Sequence, residues 1–221
     1  MAEAVRCLIL DGHPDQGRLV SALLDVYQAA LPPGTEIEQI AVRDLAFDPV
    51  LHRGYAEDQA WEPDLARLAA AIDACDHLVI AFPMWWGAEP PALKGVIDRV
   101  FLPGWAFRYH RDDPMWDRLL AGRSADLIVT MDTPPWYLRL AYGDAVIKRW
   151  TRQILGFVGF KPVRVLRFGP TRRRGAKKNF ARWSARIEKL AASAPGLHRA
   201  DKATAMALRS DSATARAERA S

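Results

Sequence analysis

Two adjacent indole rings, Trp85 and Trp86, are the residues of this chain best suited to bind a flat aromatic molecule. They lie in the turn 84–87, after a short apolar run (77–82) that ends at Pro83 and predicts a buried strand. Open α/β sheets bind ligands at the carboxyl ends of their strands, so this turn would present ring faces and backbone amides to such a ligand. Alternatively, the two rings fill a hydrophobic core or a subunit contact, and the spacing alone leaves both interpretations open.

A second candidate for chemistry is the loop Asp11-Gly12-His13-Pro14, which follows an apolar run at 5–10 and precedes a helix that we expect near Leu19. A loop at the amino end of a helix offers free amides and the positive end of the helix dipole to a phosphate. The loop is neither a Walker loop nor a dinucleotide glycine fingerprint, so the sequence alone leaves His13 either as a phosphate ligand or as a structural turn residue.

The elements that would position these loops alternate along the chain. Apolar runs predict strands at 5–10, 35–42, 77–82, 124–131 and 162–168, and amphipathic segments between and after them predict helices that begin near residues 19, 63, 91, 144 and 180. This alternation predicts an α/β fold with a parallel sheet and helices on both faces. A length of 221 residues fits one domain, which we place at 1–193, and the Ala/Arg/Ser-rich stretch 194–221 reads as a disordered tail.

Composition excludes several classes of protein. No apolar run is long enough for an integral membrane segment, and charged residues interrupt the N-terminus where a signal peptide would be apolar, so we expect a cytoplasmic protein. Cys7 and Cys75 fall in or beside buried strands, which favours small buried hydrophobes over a disulfide. We predict no metal site.

Charge is divided unevenly along the chain. Residues 1–160 hold 15 basic and 22 acidic residues, whereas residues 161–189 hold 11 basic and one acidic residue. A single basic stretch on an acidic domain favours the phosphates of a small cofactor over a nucleic acid, and no nucleic-acid-binding motif is present.

The stretch FPMWWGAEPPALKGVIDRVFLPGWAF, residues 82–107, resembles the signature of the flavodoxin-like NAD(P)H:quinone oxidoreductases. That family includes the drug-activity modulator and the potassium-efflux ancillary reductases. The resemblance implies a flavodoxin-like three-layer sandwich whose five-stranded parallel sheet has the order 2-1-3-4-5. It also implies a homodimer that binds FAD, with FMN possible, uses NAD(P)H as co-substrate and reduces a small quinone-like acceptor by ping-pong hydride transfer.

The resemblance further implies roles for particular residues. The flavin phosphate would be held at His13, Arg18, Leu19 and Val20, although Arg18 stands where the family has serine and Val20 where it has asparagine or threonine. The flavin ring would lie against Pro83, Met84, Trp85, Trp86, Gly87 and Thr133. Lys177 would reach cofactor phosphates, unless it only forms a solvated surface. Tyr137 and Tyr142 would be the catalytic residues, and Phe107 and Tyr109 would be gate residues that act on the partner subunit, unless they are plain loop aromatics.

One departure from the family pattern concerns the loop after the fourth strand. Pro134 and Pro135 stand where the family has glycines whose amides hydrogen-bond the flavin, and proline has no amide hydrogen. Two alternative functions therefore remain open: an ancillary or regulatory subunit of a membrane transporter, and a degenerate member that binds no flavin.

Overall fold

A five-stranded parallel sheet forms the centre of the molecule in the computed structural model, which describes residues 4–172, 174–197, 202 and 204–208. Its strands are β1 (Arg6–Asp11), β2 (Glu36–Ala41), β3 (His77–Pro83), β4 (Ser124–Thr130) and β5 (Val163–Phe168). Their order is β2-β1-β3-β4-β5, with every neighbouring pair parallel. The predicted order 2-1-3-4-5 is therefore confirmed.

Helices connect these strands. They are α1 (Leu19–Ala29), α2 (Pro63–Ala74), α3 (Pro91–Val100), α4 (Pro135–Ala141), α5 (Ala145–Lys148), α6 (Leu155–Val158) and α7 (Gly175–Ala192). A π-helix (Arg149–Ile154) joins α5 to α6, and 3₁₀ turns occupy Val42–Asp44 and Ala194–Gly196. A two-stranded antiparallel hairpin (Phe107–Tyr109 and Trp116–Arg118), which was not predicted, follows α3.

The sheet is covered on both faces, as a flavodoxin-like sandwich requires. Every residue of β3 and β4 is buried, which is the pattern of central strands in a parallel sheet. Alternate side chains of a strand point to opposite faces. Ile9 and Val79 accordingly pack with α1 and α7, whereas Leu8 and Leu78 pack with α2 and α3.

Two helix predictions needed correction. α7 begins at Gly175, not near residue 180, because Ala176 and Phe180 pack on the core in register with Trp183, and the basic residues between them concealed this apolar face. Lys177 therefore lies in a helix and not in a loop. The predicted helix 144–157 is divided into α5, the π-helix and α6, and the loop expected at 132–137 runs into α4 at Pro135.

Within the stretch 194–221, the structure describes 194–197, 202 and 204–208. Lys202 Nζ lies 2.7 Å from Asp76 Oδ1, and Ala205 is buried. The predicted disorder of the other residues of this stretch lies outside the described residues, and the domain boundary at 193 stays a prediction. Among the described helices, none is both long and apolar enough to cross a membrane.

Candidate active site

The carboxyl ends of β1, β3 and β4 carry the three loops that the sequence singled out. Between the turn 84–87 and the loop 131–134 lies a cleft of about 870 Å³, within the size range of small-molecule sites. Six of the predicted site residues line it: Met84, Trp85, Trp86, Gly87, Thr133 and Tyr142. Pro83, the last residue of β3, is buried directly beneath the turn.

The aromatic turn has an unusual backbone. Trp85 and Ala88 exchange both backbone hydrogen bonds, with N–O distances of 2.8 and 3.0 Å. Trp86 (φ +51°) and Gly87 (φ +77°) between them are both left-handed, which defines the mirrored type I′ turn. Such a backbone strains a tryptophan but not a glycine. The Trp86 side chain is fully exposed, so it does not fill the core of this chain.

Glu89 anchors this turn from inside the protein, a role that the sequence analysis missed. Its buried carboxylate accepts a 2.9 Å hydrogen bond from the Trp150 indole and pairs with Arg149, both on the π-helix. Glu89 Oε1 has no hydrogen-bond partner among the described residues. The turn is thus fixed to the protein body on its carboxyl side.

The loop after β1 is held equally firmly. The Gly12 amide donates to Ala81 O at 2.8 Å, and a Cβ on Gly12 would lie 2.6 Å from Leu93 Cδ2, so only glycine allows this approach. Asp11 is buried and accepts hydrogen bonds from the His13 amide (3.0 Å), the Ser21 hydroxyl (2.7 Å) and the Arg43 guanidinium (2.7 Å). The loop is therefore preformed, and Asp11 and Arg43 are structural residues that the sequence analysis did not identify.

His13 joins this loop to the aromatic turn. Its ring meets Trp85 edge-on, with centroids 5.8 Å apart, and its Nδ1 accepts a 3.0 Å hydrogen bond from the Asp15 amide. Partial burial lowers the pKa of His13 below its ordinary value, and the nearby charge of Asp11 opposes that shift. His13 is accordingly neutral at pH 7.

The two residues that depart from the family's phosphate loop occupy the start of α1. The Arg18 guanidinium pairs with Asp15, with Nε 2.7 Å from Oδ2, and this pairing lowers the pKa of Asp15. Val20 points into the core, so this position has only its backbone amide to offer a ligand; Leu19, beside it, is half-buried. Amides in the first turn of a helix have no intrahelical acceptor.

The loop after β4 is tied to the loop after β5. The Asp132 carboxylate pairs with Arg172 at 2.5 Å and accepts hydrogen bonds from the Arg172 amide (3.1 Å) and the Thr171 hydroxyl. Both Asp132 and Arg172 line the cleft. Arg172 is thus the cation of the basic stretch that reaches the site, whereas Lys177 is exposed on α7 and does not line the cleft.

Of the two predicted catalytic residues, Tyr142 lines the cleft, whereas Tyr137, which packs against it, does not. Their rings meet edge-on with centroids 5.5 Å apart, Tyr137 on α4 and Tyr142 directly after it. Pro134 and Pro135 begin α4, so they position these tyrosines instead of supplying amides to the cleft.

Phe107 and Tyr109 do not line this cleft. They pack on each other in the hairpin and border a separate cavity of about 340 Å³ beside α3 and α6. They are therefore not placed to line their own subunit's cleft, and the predicted role toward a partner subunit and the alternative of plain loop aromatics both remain predictions.

The chain belongs to the family with a flavodoxin-like fold, which matches residues 5–191. An FMN-dependent NADH:quinone oxidoreductase of Nitratidesulfovibrio vulgaris is 31% identical over 153 residues, which cover 69% of this chain and 70% of that protein. The uncharacterized NAD(P)H oxidoreductase YcaK of Escherichia coli is 27% identical over 48% of this chain, and the match spans only 57% of that protein. The crystal structure of Smu.1420 from Streptococcus mutans superposes with a TM-score of 0.73 at 25% identity, covering 85% of this chain and 98% of that one.

Proposed function

We propose that this protein is a flavin-dependent NAD(P)H oxidoreductase that reduces quinones or similar acceptors. The observation that carries the proposal is the mirrored turn at Trp86 and Gly87 beside the cleft of about 870 Å³. A strained left-handed tryptophan is a costly feature of the kind found at ligand sites. The turn's own hydrogen bonds use the amides of Trp85 and Ala88, so the amides of Trp86 and Gly87 would be free to donate to a bound flavin ring.

The residues present fit a flavin ring. Trp85, Trp86 and Met84 supply apolar and aromatic surface, and Thr133 supplies an amide and a hydroxyl on the facing side of the cleft. From the sequence we expected FAD, with FMN possible; we now propose FMN, because the relative from N. vulgaris is FMN-dependent by name. When bound, the flavin would accept and release a hydride.

The phosphate of the cofactor would lie at the start of α1. Free amides of Leu19 and Val20 and the positive end of the helix dipole favour an anion there. His13 is neutral and orients the loop, while Arg18 is held by Asp15 and would have to exchange partners to reach a phosphate. Lys177 would contribute at most to the positive electrostatic potential around the cofactor phosphate.

The remaining roles concern the two substrates, which would use one place in turn. The rings of Trp85 and Trp86 would pack on one side of the flavin and exclude water there, which leaves the other face open to NAD(P)H and then to the acceptor. The hydroxyl groups of Tyr137 and Tyr142 would donate hydrogen bonds to the acceptor oxygen as negative charge develops there. Sequential occupation of one cleft by NAD(P)H and then by the acceptor gives ping-pong kinetics.

We further propose a cytoplasmic homodimer in which Phe107 and Tyr109 face the partner subunit's cleft. The cavity that they border is lined by the aromatic rings of Phe101 and Phe157 and by the charged side chains of Lys94, Asp98 and Arg149, and a second copy would close it. This arrangement would supply the acceptor with a lid that the chain's own cleft lacks.

The experiment that tests the proposal is the visible absorption spectrum of the purified protein, followed by chromatographic identification of any released flavin. Stoichiometric FMN, with a lower flavin content in Trp86→Ala or His13→Ala, would support the site. Absence of flavin even after incubation with excess FMN would favour the flavin-free alternative, because the proline loop would then have abolished the site. Flavin with negligible turnover on quinones, nitro compounds and azo dyes would favour a regulatory subunit.

A further inference from the structure

The rim of the cleft carries large apolar side chains that remain exposed among the residues that the structure describes. Trp136 and Leu140 lie one turn apart on α4, so they share a face of that helix. Their exposed fractions are 63% and 81%, and Tyr142 beside them is 59% exposed. Leu138 on the opposite side of α4 is buried, so the helix is amphipathic with a second apolar face turned outward. We name Trp136, Leu140 and Tyr142 the α4 patch.

The α4 patch is continuous with the mouth of the cleft. The rings of Trp136 and Tyr137 are 5.6 Å apart and those of Tyr137 and Tyr142 are 5.5 Å apart, and Tyr142 lines the cleft that Trp86 also lines. A ligand entering the cleft therefore passes this strip of aromatic rings. A soluble acceptor does not require such an exposed apolar approach, whereas exposed apolar patches rimmed by charge commonly mark interaction sites.

The part of the sequence that contains the α4 patch is rich in basic residues. Residues 131–189 contain 15 basic and three acidic residues, whereas residues 1–130 contain 11 basic and 20 acidic residues. The acidic residues nearest the patch are neutralised, since Asp132 pairs with Arg172 and Asp144 pairs with Arg167. Asp15, in the loop between β1 and α1 at the same end of the sheet, pairs with Arg18.

The cations of this rim are exposed and make no ion pair with any described residue. They are Arg139 on α4, Lys148 at the end of α5, and Arg174, Lys177 and Lys178 at the start of α7. The start of α7 is hydrogen-bonded to the loop after β5, since the Ala176 amide donates to Thr171 O and the Gly175 amide donates to Arg172 O. The positive rim and the α4 patch thus face outward from the same end of the sheet.

We propose that this end of the molecule docks on an anionic lipid bilayer, with Trp136 and Leu140 inserted at the interface and the rim cations against lipid phosphates. Tryptophan and leucine beside lysine and arginine form the combination that binds peripheral proteins to anionic membranes. The positive rim would attract either an anionic bilayer or an acidic soluble partner. The apolar side chains favour the bilayer, because they project individually from a short helix and form no groove for a peptide. The docking surface is inferred only from the exposure of the α4 patch and the positive charge of the rim. One consequence, that the acceptor is a lipid-soluble quinone drawn directly from the bilayer, rests on the proposed function.

Co-sedimentation of the full chain with vesicles tests the docking surface. The protein should bind vesicles of mixed phosphatidylglycerol and phosphatidylcholine, should bind pure phosphatidylcholine far more weakly, and should be released by salt. Arg139→Gln with Lys148→Gln should lower the partition coefficient by about tenfold or more, at roughly fivefold for each cation. Trp136→Ser with Leu140→Ser should lower it by about tenfold.

Matched controls come from the hairpin region, which lies in the acidic part of the chain. Met115→Ser removes an apolar side chain that is 55% exposed, and Arg111→Gln removes an exposed cation; both variants should bind vesicles like the parent protein. Light scattering on each variant reports the oligomeric state. Absence of binding to phosphatidylglycerol vesicles at low salt overturns the proposal. Vesicle binding by the α4 variants equal to that of the parent protein overturns it too. So does dissociation of an oligomer by Trp136→Ser with Leu140→Ser when vesicle binding is retained, because a second copy of the chain would then cover the patch. Flavin content is unaffected by these outcomes, so failure of the docking surface is distinguishable from failure of the proposed activity.

Discussion

Arg18 pairs with Asp15 inside the loop that precedes α1, with Arg18 Nε 2.7 Å from Asp15 Oδ2. The family resemblance led us to expect a phosphate ligand at position 18, and the guanidinium is present but its charge is balanced by a neighbouring carboxylate. Both side chains are more than half exposed, so the pair is weak and able to exchange partners. The local charge at the proposed phosphate site is therefore set by Asp15 as much as by Arg18.

Asp15→Asn should strengthen binding of FMN, by about threefold at low salt, because it removes a negative charge and releases Arg18 to the phosphate. Fluorescence titration of the flavin-free protein measures the change. Riboflavin, which has the same ring and no phosphate, is the matched control and should bind both proteins equally. A gain that is identical for riboflavin, or no gain at all, would show that the phosphate lies elsewhere.

Trp86→Gly separates the two roles proposed for the aromatic turn. Glycine adopts φ +51° without strain, so the turn and the amides at 86 and 87 are retained while the indole ring is lost. We expect the free energy of unfolding to change by less than about 1 kcal/mol and flavin affinity to fall about tenfold without being abolished. Met115→Gly is the control for loss of an exposed apolar side chain. Unchanged flavin affinity would remove the ring from the binding site.

Tyr142→Phe and Tyr137→Phe test the hydrogen bonds to the acceptor. Each variant keeps its ring and therefore the 5.5 Å edge-on contact, but loses one hydroxyl group. Removal of a donor to developing negative charge lowers kcat by about ten- to a hundredfold, and we expect flavin content and KM for NAD(P)H to stay unchanged. Stopped-flow measurement of the oxidative half-reaction isolates this step. A variant that lost flavin content together with kcat would contradict the assignment, because the tyrosine would then act on cofactor binding and not on the acceptor.

The sheet was predictable because the sequence of each strand follows mainly from one requirement, the burial of its side chains. Residues of β3 and β4 are buried on both faces, so these strands are mostly apolar, and such runs are visible in any single sequence. The polar exceptions, such as His77 and Asp126, have hydrogen-bond partners. α4 and the first turn of α7 were missed for a related reason. Pro134 and Pro135 resemble a loop, yet proline suits the start of a helix, and the apolar positions of α7 are separated by cations.

The site was predictable only in part, because pairing between distant side chains leaves no local pattern. The aromatic turn was found from its strand–turn–helix order. The contact of Glu89 with Trp150 joins residues 61 positions apart, and the salt bridge of Arg172 with Asp132 joins residues 40 apart. Neither pair has a spacing that a single sequence could reveal, so the anchor of the turn and the cation of the cleft emerged only from the structure.

A buried network at the opposite end of the sheet gives a prediction about stability. Asp126 on β4 accepts hydrogen bonds from Tyr27 (2.6 Å) and Arg164 (2.6 and 2.7 Å), and its Oδ2 lies 3.2 Å from His77 Nε2. Burial by itself would raise the pKa of Asp126, but hydrogen bonds from His77, Arg164 and Tyr27 outweigh burial and lower it. Burial and the charge of Asp126 together raise the pKa of Tyr27, so its phenol stays protonated and donates.

Because the pKa of Asp126 is lower in the folded than in the unfolded chain, its ionised form stabilises the fold above the ordinary carboxyl pKa, near 4. That contribution is lost as pH falls through the lowered folded pKa.

Asp126→Asn should cost about 3 kcal/mol in the free energy of unfolding at pH 7, since it leaves Arg164 without its partner. The cost should shrink progressively below about pH 4. Urea unfolding at a series of pH values measures it. Asp98→Asn, which breaks the exposed pair with Lys94, is the control and should cost less than about 1 kcal/mol. A cost at Asp126 that is the same at pH 7 and at acid pH would show that its carboxyl group titrates alike in the folded and unfolded chains.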